Sequence, residues 1–200
     1  MGLKILVVII SYLIGSFSSA YVLGKLIKKA DIRTYGSGNA GATNALRVFG
    51  KRIGAMVFIL DVLKGILAAY IGGKLIGYDG RLLGGFFAVV GHMWPIFLKF
   101  KGGKGIATSF GMLLSIHWPT AIITLIGFII VLLVSKYVSL ASIFSCVAAP
   151  IVIALVTEPF DRKFFIATLI IAIISIIKHR SNIVRLLNGQ EYKIGEKVRR

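Results

Sequence analysis

The chain is short of acidic residues and almost without cysteine. Seven Asp and Glu stand against 24 Lys and Arg, a formal net charge of +17 over 200 residues. Three histidines accompany them, and no Asp, Glu and His fall together at ligand spacing, so neither a catalytic metal nor any other cofactor is expected. Cys146 is the single cysteine and lies in an apolar run. That excludes an intrachain disulfide and leaves a thiolate poorly solvated, so a small packing residue is expected there. No repeat relates the two halves, which removes the inverted-repeat signature of many transporters. Leu6 stands where a myristoylation signal after Met1-Gly2 would place Ser or Thr, so no lipid anchor is expected.

What fills the chain instead is hydrocarbon. Hydrophobic residues make up 57% of it, more than a soluble domain of this length can hide. Apolar runs at 5–24, 53–76, 82–98, 105–135, 138–156 and 164–177 leave no polar stretch long enough for a separate soluble domain. The pattern predicts an all-α fold, one polytopic membrane helix bundle forming a single domain over residues 1–200. Lys4 and the Ser-Ser-Ala at 18–20 imitate a signal peptide, but apolar character runs on to Leu26 and Ile27, so this helix is expected to be retained. The cations lie between hydrophobic spans rather than on a soluble face. They suit anionic membrane lipids and the positive-inside rule, not a nucleic acid.

The 31-residue run at 105–135 decides the number of crossings, being too long for one and slightly short for two. His117-Trp118-Pro119 interrupts it, with Pro119 breaking the backbone ladder. Two crossings there give seven transmembrane helices in all. The basic loops at 25–52 and 99–104, Lys136 and the tail from Lys178 onward, with Lys197, Arg199 and Arg200, then share one side. Lys4, Lys74, Arg81, Arg162 and Lys163 take the other. A count of six would move Lys136 and the basic tail outward, so charge favours seven, with the N-terminus outside and the C-terminus cytoplasmic. The fourth helix, near 105–116, is then short and packed inside the bundle. Asp61 and Lys64, three residues apart on the second span, are spaced to form a bundle-stabilising ion pair.

Three polar clusters fall on the cytoplasmic side. The first is Gly36-Ser37-Gly38-Asn39-Ala40-Gly41-Ala42-Thr43-Asn44, with three glycines, two amides and two hydroxyls in nine residues and Arg47 one helical turn beyond Thr43. Its literal G-x-G-x-x-G is not a dinucleotide fingerprint, because it joins two apolar helices and no strand precedes it. Glycine-rich backbone leading into a helix still suits a phosphate. The second cluster is Gly91-His92-Met93-Trp94-Pro95 followed by Lys101-Gly102-Gly103-Lys104-Gly105. Lys104 beside unhindered N–H groups at a helix start is a good phosphate ligand, whereas Leu98 stands where a P-loop needs glycine. The third is Lys178-His179-Arg180-Ser181-Asn182-Ile183-Val184-Arg185, then Asn188-Gly189-Gln190-Glu191. If the last helix continues, Lys178, Asn182 and Arg185 stack and His179 shares a face with Asn182. His117 stands alone on the opposite side.

These clusters, in this order and at these intervals, closely resemble the PlsY family of membrane glycerol-3-phosphate acyltransferases, and the resemblance covers the whole chain. It implies transfer of an acyl chain from acyl phosphate to the sn-1 hydroxyl of glycerol 3-phosphate, giving lysophosphatidic acid and inorganic phosphate. That is the first step of bacterial phospholipid biosynthesis, on the cytoplasmic face of the inner (plasma) membrane. It implies acyl phosphate and glycerol 3-phosphate as partners, without acyl-CoA or acyl carrier protein as direct donor.

In that light Ser37, Lys104 and His179 are the expected catalytic residues. Gly36, Ser37, Gly38, Asn39, Gly41, Thr43, Gly102, Gly103 and Lys104 are expected on the acyl phosphate and its leaving phosphate. Asn44, Arg47, His92, Lys104, His179, Asn182 and Arg185 are expected on glycerol 3-phosphate. The His-x-x-x-x-Asp pair of commoner acyltransferases is absent, since Phe97, Ile122 and Val184 follow the three histidines at that interval. The proton acceptor is therefore His179 or a substrate phosphate. The competing class is a small transporter or flippase for a phosphorylated lipid, which predicts movement across sealed vesicles and no new ester. A third reading, a basic scaffold for anionic lipids, predicts that Asn39→Ala or Asn182→Ala matters little. The sequence carries no signal of oligomeric state.

Overall fold

The computed structural model describes residues 1–196, so Lys197, Arg199 and Arg200 of the basic tail lie outside the described residues. Among the described residues every regular element is helical. They fall into two compact units, residues 1–116 and 117–196.

The first unit opens with α1 (Gly2–Ser16) and α2 (Ser19–Lys28), separated by extended backbone at Phe17 and Ser18. A loop with one 3₁₀ turn (Ile32–Thr34) leads to the short α3 (Ala42–Phe49) and then to α4 (Lys51–Met93). α4 is not one rod. Ile76 and Gly77 leave helical geometry, Gly77 in the left-handed region with φ 68°. Beyond the break the chain folds back, so that Gly72 meets the Gly80 carbonyl and Gly84 meets that of Ala68. Residues eight apart in a continuous helix lie about 12 Å apart along its axis, so these contacts require an antiparallel hairpin. The two arms, 51–75 and 78–93, correspond to the separate spans expected at 53–76 and 82–98. The five-residue outer connection between those runs shrinks to two residues.

Small residues hold this unit together. Gly15 packs on Ala88 and Gly91 on Tyr12, which seats α1 against the second arm. The short α5 (Ile106–Ile116) uses Gly111 against Val62, while Gly65 of the first arm meets Thr108. Missing side chains let helix axes approach closely, and dispersion replaces the hydrophobic effect where lipid is the solvent. α5 starts beside Met93, which packs on Gly105, and ends where Arg81 bonds the Ser115 carbonyl. Its 11 residues span about 16 Å, half of a hydrocarbon core, as expected for the short fourth helix.

The second unit contains α6 (Trp118–Ser135), α7 (Val138–Val156), α8 (Arg162–Lys178) and α9 (Arg180–Leu187). α6 packs on α7 and α7 on α8, with Gly127 seated against Phe144. The expected break at 117–119 is present, and His117 has a local task. It caps α6, bonding Thr120 through both hydroxyl (2.8 Å) and backbone N–H (3.4 Å). The last helix does not continue straight through 178–185: α8 and α9 meet at a 57° bend around His179. Beyond α9 the chain returns, and the Ile194 N–H donates to the Lys136 carbonyl at 2.8 Å.

Among the described residues, four helical stretches are long and apolar enough to cross a membrane: 2–28, 51–98, 118–135 and 138–156. The bent α8–α9 pair adds a fifth, and the stretch 51–98 contains both arms of the α4 hairpin. Exposed Leu133, Val134, Leu155 and Trp118 face outward from these helices, as lipid contacts require.

Candidate active site

In the first unit the 36–44 loop is knotted by one side chain. Asn44, on the first turn of α3 and 2% exposed, turns back into the loop. Its Oδ1 accepts from the Ser37 N–H at 3.0 Å, and its Nδ2 lies 3.0–3.2 Å from the carbonyls of Ile32, Tyr35 and Asn39. Gly36 (φ 59°) and Gly38 (φ 69°) take the left-handed turns this path needs. A Cβ on Gly36 would strike the Asn44 amide.

Asn44 was expected on glycerol 3-phosphate; here its amide is committed to the loop itself. The N–H groups of Ser37 and Gly38 are committed too, the latter to the Tyr35 carbonyl at 3.0 Å. The first intrahelical bond of α3 runs from the Ala45 N–H to the Gly41 carbonyl, so the N–H groups of residues 42–44 open the helix. Anion-binding donors are thus concentrated at the start of α3 rather than spread along the glycines. The Ser37 side chain is exposed, and Asn39, Gly41, Thr43 and Arg47 are half-buried.

Arg33 ties this loop to the second cluster. It grips Asp31 through Nε and a terminal nitrogen (2.7 Å) and reaches the Leu98 carbonyl at 3.3 Å. The bonds from Arg33 hold the Asp31 carboxyl below its ordinary pKa, and Asp31 in turn raises that of the guanidinium. Tyr12 fastens the other flank, its hydroxyl donating to the Trp94 carbonyl at 2.8 Å. The first and second clusters therefore occupy the same end of this unit.

Beneath that end lies a buried charge network. Asp61 and Lys64 form the expected ion pair at 3.0 Å. Ser19 donates to Asp61 at 3.0 Å, and Lys64 donates to the Phe17 carbonyl at 2.9 Å, which the α1–α2 break leaves without a helical partner. Lys64 also reaches His92 Nδ1 at 2.8 Å. An ammonium only donates, so Nδ1 accepts and the ring proton sits on Nε2. The 3.6 Å from Nδ1 to Asp61 is too long for a competing bond. His92 was expected on glycerol 3-phosphate, but it is 6% exposed and its ring lies against Gly103. The Gly103 N–H donates to the His92 carbonyl at 3.1 Å, and a Cβ on Gly102 would strike that same carbonyl. Lys104 follows, half-buried, and Gly105 (φ 85°) turns the chain into α5.

In the second unit His179 Nδ1 lies 2.8 Å from the Ser175 carbonyl. A carbonyl only accepts, so Nδ1 carries a proton. Glu191 organises the rest, accepting from Asn182 Nδ2 at 3.0 Å and from Arg185 Nε at 2.8 Å. The bend at His179 parts Lys178 from Asn182 and Arg185, which stay three apart on α9 and are joined by Glu191 beyond its end. The sequence placed Arg33 only among the cations flanking the loop and Glu191 only within the third cluster, and gave Ser19 no contact. The available signals were hydroxyls interrupting an apolar run and a lone acid six residues after Arg185.

Apolar helices long enough to span a membrane define the class as a multi-pass membrane protein, with two glycine-rich, cation-bearing loops at one end of its first unit. The chain belongs to the glycerol-3-phosphate acyltransferase family, whose model matches residues 5–189. It is 49% identical to a glycerol-3-phosphate acyltransferase of Thermoanaerobacter pseudethanolicus over 97% of both chains. The corresponding protein of Finegoldia magna is 47% identical over 94% of both. Among solved structures it resembles PlsY, an integral membrane glycerol 3-phosphate acyltransferase, in its glycerol 3-phosphate form (TM-score 0.90, 38% identity, 96% of each chain). The lysophosphatidic acid form of PlsY gives a TM-score of 0.86 at 37% identity, covering 96% of this chain and 95% of that one. The resemblance to the PlsY family drawn from the three clusters therefore holds.

Proposed function

We propose that this chain transfers an acyl group from acyl phosphate to the sn-1 hydroxyl of glycerol 3-phosphate, releasing lysophosphatidic acid and inorganic phosphate. The observation that carries the reading is the 36–44 loop. Asn44 occupies the Ser37 N–H and three loop carbonyls, which leaves the N–H groups at the start of α3 and the Ser37 and Thr43 hydroxyls as a donor set suited to an anion. The relatives' names supply the acceptor, and the PlsY structures were solved in forms named for glycerol 3-phosphate and lysophosphatidic acid.

The hydroxyl oxygen attacks the acyl carbonyl carbon, the new ester C–O bond forms, and the carbon–oxygen bond to phosphate breaks with its electron pair leaving on phosphate. The hydroxyl proton ends on that phosphate, so the reaction balances without a metal or an external base. Acyl phosphate is an activated anhydride, and catalysis reduces to positioning and to stabilising the departing charge. We assign the leaving phosphate to Ser37, Asn39, Gly41, Thr43 and Lys104, with Gly36 and Gly38 shaping the loop. Glycerol 3-phosphate is assigned to Arg47, His179, Asn182 and Arg185. His179, whose Nδ1 is held by the Ser175 carbonyl, is assigned to accept the hydroxyl hydrogen bond through Nε2 during attack. Asn44 acts by holding the loop, and Gly102 and Gly103 by bringing backbone against His92.

Seven crossings, an outside N-terminus, a cytoplasmic site and an inner-membrane location complete the proposal, on the charge asymmetry of the loops. The family match runs through both units, which supports a single domain. The test is the purified chain in detergent, offered glycerol 3-phosphate with acyl phosphate, acyl-CoA or acyl carrier protein in turn. Lysophosphatidic acid from acyl phosphate alone is expected; product from a thioester donor alone would overturn the donor assignment. Lys104→Ala should lower turnover at least about 100-fold, the scale of a lost oxyanion-stabilising donor, with the protein still folded.

A further inference from the structure

The three charged or titratable groups beneath the loops remain without a task in this chemistry. We propose that Asp61, Lys64 and His92 are positioning residues for the loop that carries Lys104, an inference that rests on the acyl-transfer reading above. A lone ion pair would need only Asp61 and Lys64. Here Lys64 divides its three donors among Asp61, the Phe17 carbonyl and His92 Nδ1, at 3.0, 2.9 and 2.8 Å. Each of the three acceptors belongs to a different part of the unit. Asp61 is on the first arm, Phe17 in the break between α1 and α2, and His92 near the end of the second arm.

The network ends at the functional loop. Lys64 fixes the rotation of the His92 imidazole by holding Nδ1, and the opposite edge of that ring, at Nε2, meets the Cα of Gly103 so closely that no Cβ fits. The His92 carbonyl meanwhile receives the Gly103 N–H at 3.1 Å and abuts Gly102. One residue, held from below by a buried ammonium, therefore sets both the height and the tilt of the two glycines that precede Lys104. Asp61 lies ten residues beyond Lys51, about 15 Å along the first arm. Burying charge there is costly unless it is paired, and pairing it also fixes a rigid platform for a loop built of glycine.

The test is kinetic and uses the full chain, purified as a monodisperse species in detergent. His92→Phe keeps the ring against Gly103 but removes the acceptor for Lys64. The double variant Asp61→Asn with Lys64→Met removes both charges together. Each is expected to lower kcat/KM for glycerol 3-phosphate about 10-fold or more, the scale of a small misplacement of a reacting group. Gly103→Ala should do the same, and its effect should shrink at least about fivefold in a His92→Ala background, where the ring no longer blocks the new methyl. A merely bundle-stabilising network would lower thermal stability but leave kcat and KM of the folded enzyme unchanged, with the His92 and Gly103 effects multiplying. That result would overturn the inference. If wild-type chain makes product and Lys104→Ala does not, while these variants match wild type, this inference alone fails. No product from the wild-type chain with acyl phosphate would remove both readings.

Discussion

Asn44 occupies the first turn of a short helix, yet its amide reaches four backbone groups of the preceding loop. Asn44→Ala strips those bonds from a buried position and leaves carbonyls unsatisfied. A loss of about 1–3 kcal/mol is expected, read as a lower melting temperature in detergent, together with a fall in activity as the loop opens. Asn44→Asp tests the geometry separately, since Oδ1 still accepts from Ser37 while the carbonyls face an oxygen instead of an amide. The neighbouring Asp31–Arg33 pair carries a pH signature. Hydrogen bonds from Arg33 depress the Asp31 pKa in the folded protein, so the pair's stabilisation is complete above the ordinary carboxylate range and is lost as pH falls through the depressed value. The stability difference between wild type and Asp31→Asn should therefore stay constant from neutral pH down to about pH 5 and shrink below about pH 4. A difference that instead grew on acidification would contradict the pairing.

At the level of the helices, axes approach wherever a glycine faces a neighbouring backbone. Gly111 of α5 sits on the Val62 carbonyl of the first arm, and α5 has only 11 residues with which to hold its place. Gly111→Val should force the two apart at a cost of about 1–3 kcal/mol, measured as reduced thermal stability and a smaller monodisperse fraction. A similar change at Gly2, where no atom approaches within 4 Å, should be silent. These contacts mark the boundary of what could be read in advance. The helices, the break at His117 and the short α5 were legible, because run length and proline report directly on backbone state. The reversal between the second and third spans was legible from the two apolar runs, but its two-residue tightness at Ile76–Gly77 and the 57° bend at His179 were not, since each is fixed by tertiary packing that no local pattern encodes. The Asp61–Lys64 pair was legible at spacing three. Its extension to His92, 28 residues away, and to Ser19, 42 residues away, was not. The functional loops were legible as composition, but the division of labour within them, with Asn44 and His92 as internal struts, depends on where side chains point.

For the whole molecule, the topology proposed from charge asymmetry puts the basic loops in the cytoplasm and the hairpin tip at 76–77 outside. With Cys146 changed to Ser, a single cysteine introduced at Lys51 should react with a membrane-impermeant maleimide only in inverted vesicles, and one introduced at Tyr78 only in right-side-out cells. Labelling of both from the same side would reduce the crossing number and move the site. Wild-type chain is mixed with acyl phosphate and glycerol 3-phosphate, and lysophosphatidic acid and inorganic phosphate are quantified over time. Acyl transfer from acyl phosphate gives equal amounts of the two products, formed in detergent without thioester donor or added metal. Phosphate release with no matching ester, or ester formed only when a thioester is supplied, would contradict it.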